Sequence, residues 1–166
     1  MSMMSISPID PSIRATVFSP DRLYRYALWR EVDLLDSRYV LFICLNPSTA
    51  GELEDDPSVR RMVDFTKRWG FGALCVANLF AYCATDPDVM KRAADPVGTF
   101  NDEWLIALAS RASLVVAAWG KEGSHRSRAD RVTELIPNLH CLVRNLDGSP
   151  RHPLYVRAST LPSPYP

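Results

Sequence analysis

The chain has 166 residues, 47% of them hydrophobic and 23% charged, and its 19 Lys and Arg balance its 19 Asp and Glu. These values are typical of one soluble globular domain, so we expect a single domain over residues 1–166, with residues 1–12 as a loose tail. The zero net charge argues against a protein coated in positive potential, and the lack of a long apolar run or a signal-peptide pattern predicts a cytoplasmic protein without a membrane partner.

The first predicted elements are a hairpin and a central strand. Residues 15–18 and 23–32 are β-prone and flank the turn signal Ser19-Pro20-Asp21, which predicts a hairpin at a sheet edge. Residues 38–45 form a continuous apolar run. Such a run is typical of a strand buried on both faces in the middle of a parallel sheet.

Helices and strands alternate in the rest of the chain. Asp56 is predicted to cap a helix that starts at Pro57 and ends at Gly70. The other predicted elements are a strand over 73–77, a long loop over 80–98 with one helical turn, a helix over 101–111, a strand over 114–119, a helix over 125–135 capped by Ser124, a strand over 139–143 and an edge piece at Tyr155-Val156.

This alternation predicts an α/β fold. Strands separated by helices require crossovers, which are nearly always right-handed, so we expect a three-layer α/β/α sandwich with a mainly parallel central sheet and the amino-terminal edge hairpin. In such sheets ligands bind beyond the carboxyl ends of the strands. Three polar fragments follow predicted strands or lie in a late loop: Asn46-Pro47-Ser48-Thr49, Asn78 and Arg151-His152-Pro153. We expect them to form one site.

The first two fragments offer side-chain amides. Asn46 could orient a water or a substrate hydroxyl, and the backbone N–H groups of its turn could hold an anion. Asn78 is followed by Phe80, and an aromatic face beside an amide suits a planar ring with a polar edge. The alternative for each Asn is a turn that ties the loop to its own backbone.

The third fragment carries a cation and an imidazole between two prolines. Arg151 could bind a phosphate, and His152 could donate a hydrogen bond to charge on a leaving group. The alternative is a surface loop whose His bonds a carbonyl. From Arg111 onward eight Lys or Arg stand against four Asp or Glu, a balance of +4, and His125, Arg126, Arg128 and Arg131 could form a basic patch or be solvated.

No metal or cofactor is predicted. Cys44, Cys75, Cys83 and Cys141 are widely spaced and indicate buried thiols in a reducing compartment. The acids around Asp55-Asp56, with Glu52 and Glu54, fit a solvated helix start better than a metal site. Covalent catalysis by Cys44 or Cys83 stays open. A nucleophile elbow, a phosphate loop and a dinucleotide fingerprint are all absent from the sequence, which disfavours common hydrolases, kinases and dehydrogenases.

The order of the fragments resembles a bacterial and phage family of unknown function. The motifs that carry this resemblance are Thr16-Val17-Phe18-Ser19, Tyr24-Arg25-Tyr26, Asn46-Pro47-Ser48-Thr49-Ala50, Asp55-Asp56-Pro57, Trp69-Gly70, Asn78-Leu79-Phe80, Asp95-Pro96-Val97-Gly98, Asn101-Asp102, Trp119-Gly120 and Arg151-His152-Pro153-Leu154-Tyr155.

A more distant resemblance is to the uracil-DNA glycosylase superfamily. Leu45-Asn46-Pro47-Ser48 is similar to its first-strand motif, Asn78 to its base-reading Asn, Trp119-Gly120 to a later strand end and His152-Pro153 to its His-Pro loop. The resemblance implies that Asn46 positions a water, Asn78 bonds an extruded base on which Phe80 stacks, His152 stabilises the departing base and Leu154 wedges into the base stack. Leu45 departs from that pattern, because a glycine usually stands there.

Together these patterns predict a protein that recognises a nucleobase, a nucleotide or nucleic acid. Asn46 and His152 are the candidate catalytic residues of an N-glycosidic hydrolase. The candidate substrate-binding residues are Pro47, Ser48, Thr49, Asn78, Phe80, Trp119, Gly120, Arg151 and Leu154. The alternatives are a noncatalytic module that binds nucleic acid or a protein, and a metal-independent hydrolase or transferase acting on a small nucleotide-like substrate.

Overall fold

A computed structural model describes residues 9–49 and 53–166. The strands in this part of the chain are β1 (Val17–Phe18), β2 (Arg25–Glu31), β3 (Tyr39–Cys44), β4 (Ala73–Asn78), β5 (Leu114–Ala117), β6 (Leu139–Cys141) and β7 (Ser163–Pro164). The α-helices are α1 (Pro57–Arg68), α2 (Pro87–Arg92), α3 (Asn101–Arg111) and α4 (Arg128–Leu135). These strands form one mixed sheet in the order β1-β2-β4-β3-β5-β6-β7, so the fold is α/β.

The strand β3 lies at the centre of the sheet, as its apolar run predicts. It pairs in parallel with β4 on one side and with β5 on the other, and β5 pairs in parallel with β6. All six residues of β3 are buried, which explains why polar residues do not interrupt the run. The predicted edge hairpin is confirmed, because β1 pairs antiparallel with β2 and forms one edge of the sheet.

Alternate residues of β3 pack into two separate hydrophobic clusters. Leu41 and Ile43 belong to a cluster with residues of α3 and α4, here called the α3 cluster. Val40, Phe42 and Cys44 belong to a second cluster with residues of α1, here called the α1 cluster. Because successive side chains of a strand point to opposite faces, membership of a cluster shows which face of the sheet a strand residue occupies.

The helix α1 begins and ends where the sequence predicts. The Asp56 carboxylate accepts a hydrogen bond of 2.8 Å from the Val59 N–H and so caps the helix, and Pro57 is its first residue. After the helix, Gly70 has a φ of +80°, a left-handed conformation that glycine adopts without steric cost. The predicted helix over 101–111 is also confirmed as α3.

The predicted helix over 125–135 starts too early. Residues Lys121–Ser127 form a 3₁₀ segment, and α4 begins only at Arg128. Arg126 and Ser127 have φ angles of +53° and +54°, which right-handed helix does not allow, so the chain turns before α4 starts. Ser124 lies inside the 3₁₀ segment and therefore does not cap the helix.

The predicted edge piece at Tyr155-Val156 is wrong. Residues Pro153–Tyr155 form a 3₁₀ turn. The edge strand on this side is β7, which pairs antiparallel with β6 and is followed by a hydrogen bond of 2.8 Å from the Tyr165 N–H to the Leu139 carbonyl. Proline in β7 masks the strand in the sequence, although an edge position tolerates it.

The structure tests the predictions of a loose amino-terminal tail and of no membrane partner only in part. Residues 1–8 of the predicted tail lie outside the described residues, whereas the Asp10 carboxylate accepts a hydrogen bond of 2.9 Å from the Ser12 N–H in a turn that buries Pro11. Within residues 9–49 and 53–166, no helix has the length and apolar character needed to span a membrane.

The burial of Phe42 provides a test of the central strand. We expect Phe42→Ala to lower the free energy of unfolding by about 3–5 kcal/mol, because it removes a large buried ring and leaves a cavity. Urea unfolding followed by circular dichroism measures the change. Leu35→Ala is the control, since Leu35 is 97% exposed and its loss is expected to change stability by no more than about 0.5 kcal/mol. Equal effects of the two substitutions would contradict the packing described here.

Candidate functional site

The topology of the sheet points to one end of β3 and β5. Taken in chain order, the parallel strands β3, β4, β5 and β6 lie in the spatial order β4-β3-β5-β6. The chain therefore leaves β3 toward one edge of the sheet and leaves β5 toward the other. Between two such strands a crevice opens beyond their carboxyl ends, and this is where ligands bind in open α/β sheets.

Asn46 follows β3 at this end of the sheet. Its Nδ2 donates hydrogen bonds to the carbonyls of Ala84, at 2.8 Å, and Pro47, at 3.2 Å. The Ala84 N–H in turn donates to the Pro47 carbonyl at 2.9 Å. Because both N–H groups of the amide donate to carbonyls, the amide is fixed, and its oxygen is left to accept a hydrogen bond from a water or a ligand.

The rest of the first fragment also contacts the segment after β4. Pro47 is buried, Ser48 is half-buried and Thr49 is exposed. The Thr49 and Thr85 hydroxyls share a hydrogen bond of 2.7 Å. Residues 50–52 of the same loop, with Ala50 of the motif and Glu52 of the acidic stretch, lie outside the described residues.

Asn78 ends β4 beside the last residue of β3. It pairs in register with Cys44, and the ladder continues beyond it through a hydrogen bond of 2.9 Å from the Leu79 N–H to the Cys44 carbonyl. Asn78 is only 1% exposed, yet its Nδ2 is buried without a hydrogen-bond partner. An unpaired buried donor costs about 1–3 kcal/mol. The site therefore holds a donor that lacks its acceptor.

A buried polar network holds the backbone around Asn78. The Asn101 Nδ2 donates to the carbonyls of Asn78, at 2.9 Å, and Leu79, at 3.0 Å. The Arg128 Nε donates to the Leu79 carbonyl at 2.8 Å, and its Nη2 lies 2.5 Å from the Asp102 carboxylate. The first residues of α3 and α4 thus fix the position of the strand end that carries Asn78.

Arg128 corrects part of the predicted basic patch. Its side chain is buried in this network and does not belong to a solvated surface. The signal for burial is its spacing, because Arg128 precedes the buried Val132 by four residues and so shares its face of α4. The Arg is paired with Asp102, which lies 26 positions away and cannot be recognised as a partner from local pattern.

The two aromatic side chains among the candidate substrate-binding residues, Phe80 and Trp119, lie inside the core. Phe80 is fully buried in the α3 cluster, with its ring centroid 5.6 Å from that of His125. Trp119 is also buried, with its ring 5.9 Å from that of Tyr165. Both side chains are buried, and the stacking of a base on Phe80 and substrate binding by Trp119 remain predictions.

The late loop meets the end of β5. The Gly120 N–H donates to the Pro150 carbonyl at 2.8 Å, and the Arg151 Nε donates to the Asn145 side-chain oxygen at 2.8 Å. Gly120, Arg151 and His152 line an open depression of about 560 Å³. The structure thus brings these three predicted residues together. Leu154 lies beyond them on the 3₁₀ turn and is exposed.

His152 is set up to donate from one ring nitrogen. Its Nδ1 accepts a hydrogen bond of 3.1 Å from the Leu154 N–H, so the proton of the neutral ring lies on Nε2. Burial lowers the pKa of His152 below its ordinary value of 6.5, and the charge of Asp56 opposes this shift. At neutral pH the ring is therefore an uncharged donor.

Asp56 links the two halves of the site. Its charge acts on the pKa of His152 and also on that of Arg25, a residue of β2 that the sequence marks only through the motif Tyr24-Arg25-Tyr26. The amino-terminal end of α1 therefore lies near both side chains. Asp55 is held by Arg30 at 2.6 Å, so both acids at the helix start have partners within the protein.

The thiols offer little nucleophilic character. Burial raises the pKa of Cys44 to about 12, and it also raises the pKa of Cys83. The thiolate is the reactive form of cysteine, so these shifts disfavour covalent catalysis at either position. Among the described residues, no group of three or more His, Cys, Asp or Glu is placed to hold a metal ion.

Removal of Arg128 should destabilise the protein strongly. We expect Arg128→Met to lower the free energy of unfolding by about 3 kcal/mol, because it leaves Asp102 and the Leu79 carbonyl without their partner. The matched control is Arg131→Met on the same helix, since Arg131 is exposed and lies 3.7 Å from Glu134. Chemical denaturation of both variants measures the difference. Equal, small effects would show that the network does not hold the strand end.

The buried imidazole predicts a pH dependence of stability. Burial makes folded His152 bind a proton less readily than the unfolded chain does, so its contribution is fully present above about pH 6.5 and is lost as the pH falls below that value. His152→Asn keeps an acceptor for the Leu154 N–H but cannot titrate. We therefore expect the Tm of the wild type to fall more than that of the variant between pH 7.5 and pH 5. Parallel Tm profiles would contradict the shift.

Comparison with known proteins gives one match. A family model described as a protein of unknown function (DUF1643) matches residues 25–154. No curated protein and no solved structure matches the chain. The matched range contains β2 to β6 and every residue of the site described above.

Proposed function

Since the chain belongs to the DUF1643 family of unknown function, its role must be argued from the site, and we propose that it recognises a nucleobase or a nucleotide at the carboxyl ends of β3 and β4. The observation that carries this proposal is the buried amide of Asn78, whose Nδ2 has no acceptor. A site built around a buried donor selects ligands that supply the missing acceptor. The polar edge of a nucleobase is such a ligand group.

The architecture supports the proposal. The α1 and α3 clusters lie on opposite faces of β3, which fits a three-layer α/β/α sandwich of the uracil-DNA glycosylase type. In an open α/β sheet a ligand binds beyond the carboxyl ends of the strands. Asn46 and Asn78 follow adjacent strands at that end, so one planar ligand could contact both.

The fixed amide of Asn46 supports a hydrolytic role. With both Nδ2 protons bonded to carbonyls, its oxygen can accept a hydrogen bond from a water and aim that water at the sugar carbon. The water oxygen then bonds to the carbon, and the bond to the base nitrogen breaks with its electron pair leaving on the base. The proton lost by the water is released to solvent or taken up by the departing base. His152 would stabilise the departing base through its Nε2–H.

The remaining site residues have supporting roles in this proposal. Pro47, Ser48 and Thr49 shape the loop that carries Asn46, and Gly120 anchors the late loop through its N–H. Arg151 would contact a phosphate of a polymer, and Leu154 is exposed enough to insert between bases. A noncatalytic nucleic-acid module would use the same contacts without the water.

Binding by Asn78 can be tested directly. We expect nucleobases, nucleosides or nucleotides from a panel to raise the Tm of the wild type, and Asn78→Ala to weaken the binding of the best ligand by about 10-fold or more, because a buried hydrogen bond is lost. Asn138→Ala is the matched control, because Asn138 is exposed before β6 at the opposite end of the strands. Isothermal titration calorimetry measures each affinity. Failure of every panel member to bind the wild type would contradict the proposal.

Hydrolysis needs a separate experiment. Oligonucleotides that contain uracil, hypoxanthine or alkylated bases would be incubated with the wild type, and abasic sites would be cleaved with alkali and resolved by electrophoresis. We expect Asn46→Ala to reduce product formation by at least about 100-fold while leaving ligand affinity within a few-fold, because a positioned water acts on the reaction step. Binding without any abasic product would identify a noncatalytic module and refute the hydrolase assignment.

A further inference from the structure

The guanidinium of Arg25 is buried at the same end of the sheet without a direct partner. Arg25 is 6% exposed, and its Nε is buried without a hydrogen-bond partner. Within residues 9–49 and 53–166, its side chain makes no hydrogen bond and no ion pair, whereas its backbone N–H donates to the Ala81 carbonyl at 2.9 Å. A guanidinium keeps its charge in proteins, so this is a buried cation in need of a counter-charge.

A bulge in β2 turns Arg25 toward α1. Val17 of β1 pairs with Ala27, whereas the next residue, Phe18, pairs with Arg25, so two residues of β1 face three of β2. Tyr26 stacks on Trp104 of α3, and its neighbour Ala27 belongs to the α3 cluster. Two consecutive residues of β2 thus face α3, which leaves Arg25 on the opposite face.

The surroundings of Arg25 agree with this direction. Burial lowers its pKa, and the titratable groups near enough to oppose this shift are Cys83, the α1 cap Asp56 and Cys44 of the α1 cluster. Cys44 pairs in register with Asn78, whose orphaned Nδ2 lies on the same face of the sheet because β4 alternates in the same way. Two buried donors on neighbouring strands therefore lack acceptors at one place.

From this juxtaposition we propose that Arg25 is an oxyanion-binding residue, which receives a phosphate or carboxylate group of the ligand beside Asn78 and the start of α1. A planar guanidinium pairs with two oxygens of such a group at once, and this bidentate geometry is the one for which Arg is selected over Lys. The inference goes beyond the proposed function, because it assigns a charged group of the ligand and holds for any ligand that carries one.

The neighbouring Asp56 is expected to weaken the binding of an anion at Arg25. The Asp56 carboxylate accepts the hydrogen bond of the Val59 N–H at the helix cap, and within residues 9–49 and 53–166 it forms no ion pair with Arg25. It reduces the positive potential that an incoming oxyanion meets. Asp56→Asn removes this repulsion and keeps a good N-cap, so it tightens anion binding.

The experiment titrates phosphate and acetate against the full chain, with sodium chloride at matched ionic strength as the reference. Differential scanning fluorimetry and calorimetry follow the wild type, Arg25→Met, Arg25→Lys, Asp56→Asn and the control Arg157→Met, in which an exposed Arg is changed. We expect one oxyanion to raise the wild-type Tm by roughly 5 °C at a hundred-fold excess over its Kd. The Tm shift with phosphate, compared with that with acetate, shows whether the site binds a phosphate or a carboxylate group.

The variants separate binding from structure. Arg25→Met is expected to lose the anion response, to bind at least about 20-fold more weakly, and to be no less stable than the wild type without anion, because it removes an unpaired buried charge. Arg25→Lys keeps the charge but not the fork, so it binds with intermediate affinity. Asp56→Asn binds about 3-fold or more tightly than the wild type. Arg157→Met behaves as the wild type.

Several results would overturn the inference. An anion response that persists in Arg25→Met, or a marked destabilisation of that variant without anion, would show that Arg25 is structural. Should Arg25→Met fail to fold, a wild-type affinity in Arg25→Lys together with no gain in Asp56→Asn would refute the proposal. Nucleoside binding that depends on Asn78 but not on Arg25, without any oxyanion effect, would refute this inference and leave the proposed function standing. An oxyanion effect that depends on Arg25, without any nucleobase binding, would support this inference and refute the proposed function.

Discussion

The parallel pairing of β3 with β4 and β5 is the constraint on which the polar end of the molecule depends. Because parallel strands point the same way, their carboxyl ends lie together at one edge of the sheet. Each of these strands is followed there by a loop. Asn46, Asn78 and Gly120 all stand within three residues of such an end. The three loops can therefore share a crevice even though the residues are far apart in sequence.

The burial of these parallel strands also explains why the protein remains stable with unpaired polar groups at this end of the sheet. The central strands are completely buried, so the core supplies stability that does not depend on the polar end. Unpaired donors at Arg25 and Asn78 cost free energy in the absence of a ligand. A protein keeps such a cost where function requires it, because the acceptor arrives with the ligand and binding then recovers the loss. The side chains of Asn101 and Arg128, by contrast, donate to the backbone carbonyls of Asn78 and Leu79 and so serve the structure.

The local sequence pattern predicts most helices and strands, but it does not predict which charged residues are buried. The apolar run of β3, the cap at Asp56 and the position of Asn78 all follow from residue types within a few positions of each other. Arg25 could not be found in this way, because simple alternation places it on the face of Ala27 and only the bulge moves it to the other face. Arg128 could not be recognised as buried from its charge, since the carboxylate that pairs with it lies in another helix. The strand β7 was concealed by its proline, which is compatible with pairing only at an edge.

The charges around the site combine into one electrostatic arrangement. The charge of Asp56 acts on both His152 and Arg25, while Asp56 is fixed in place as the helix cap. It favours the charged form of each neighbour, yet burial outweighs it at His152, which stays an uncharged donor. The result is one permanent cation at Arg25 and one neutral donor at His152, both within the influence of one fixed acid. A ligand with an anionic group and a neutral polar edge matches that pair of groups.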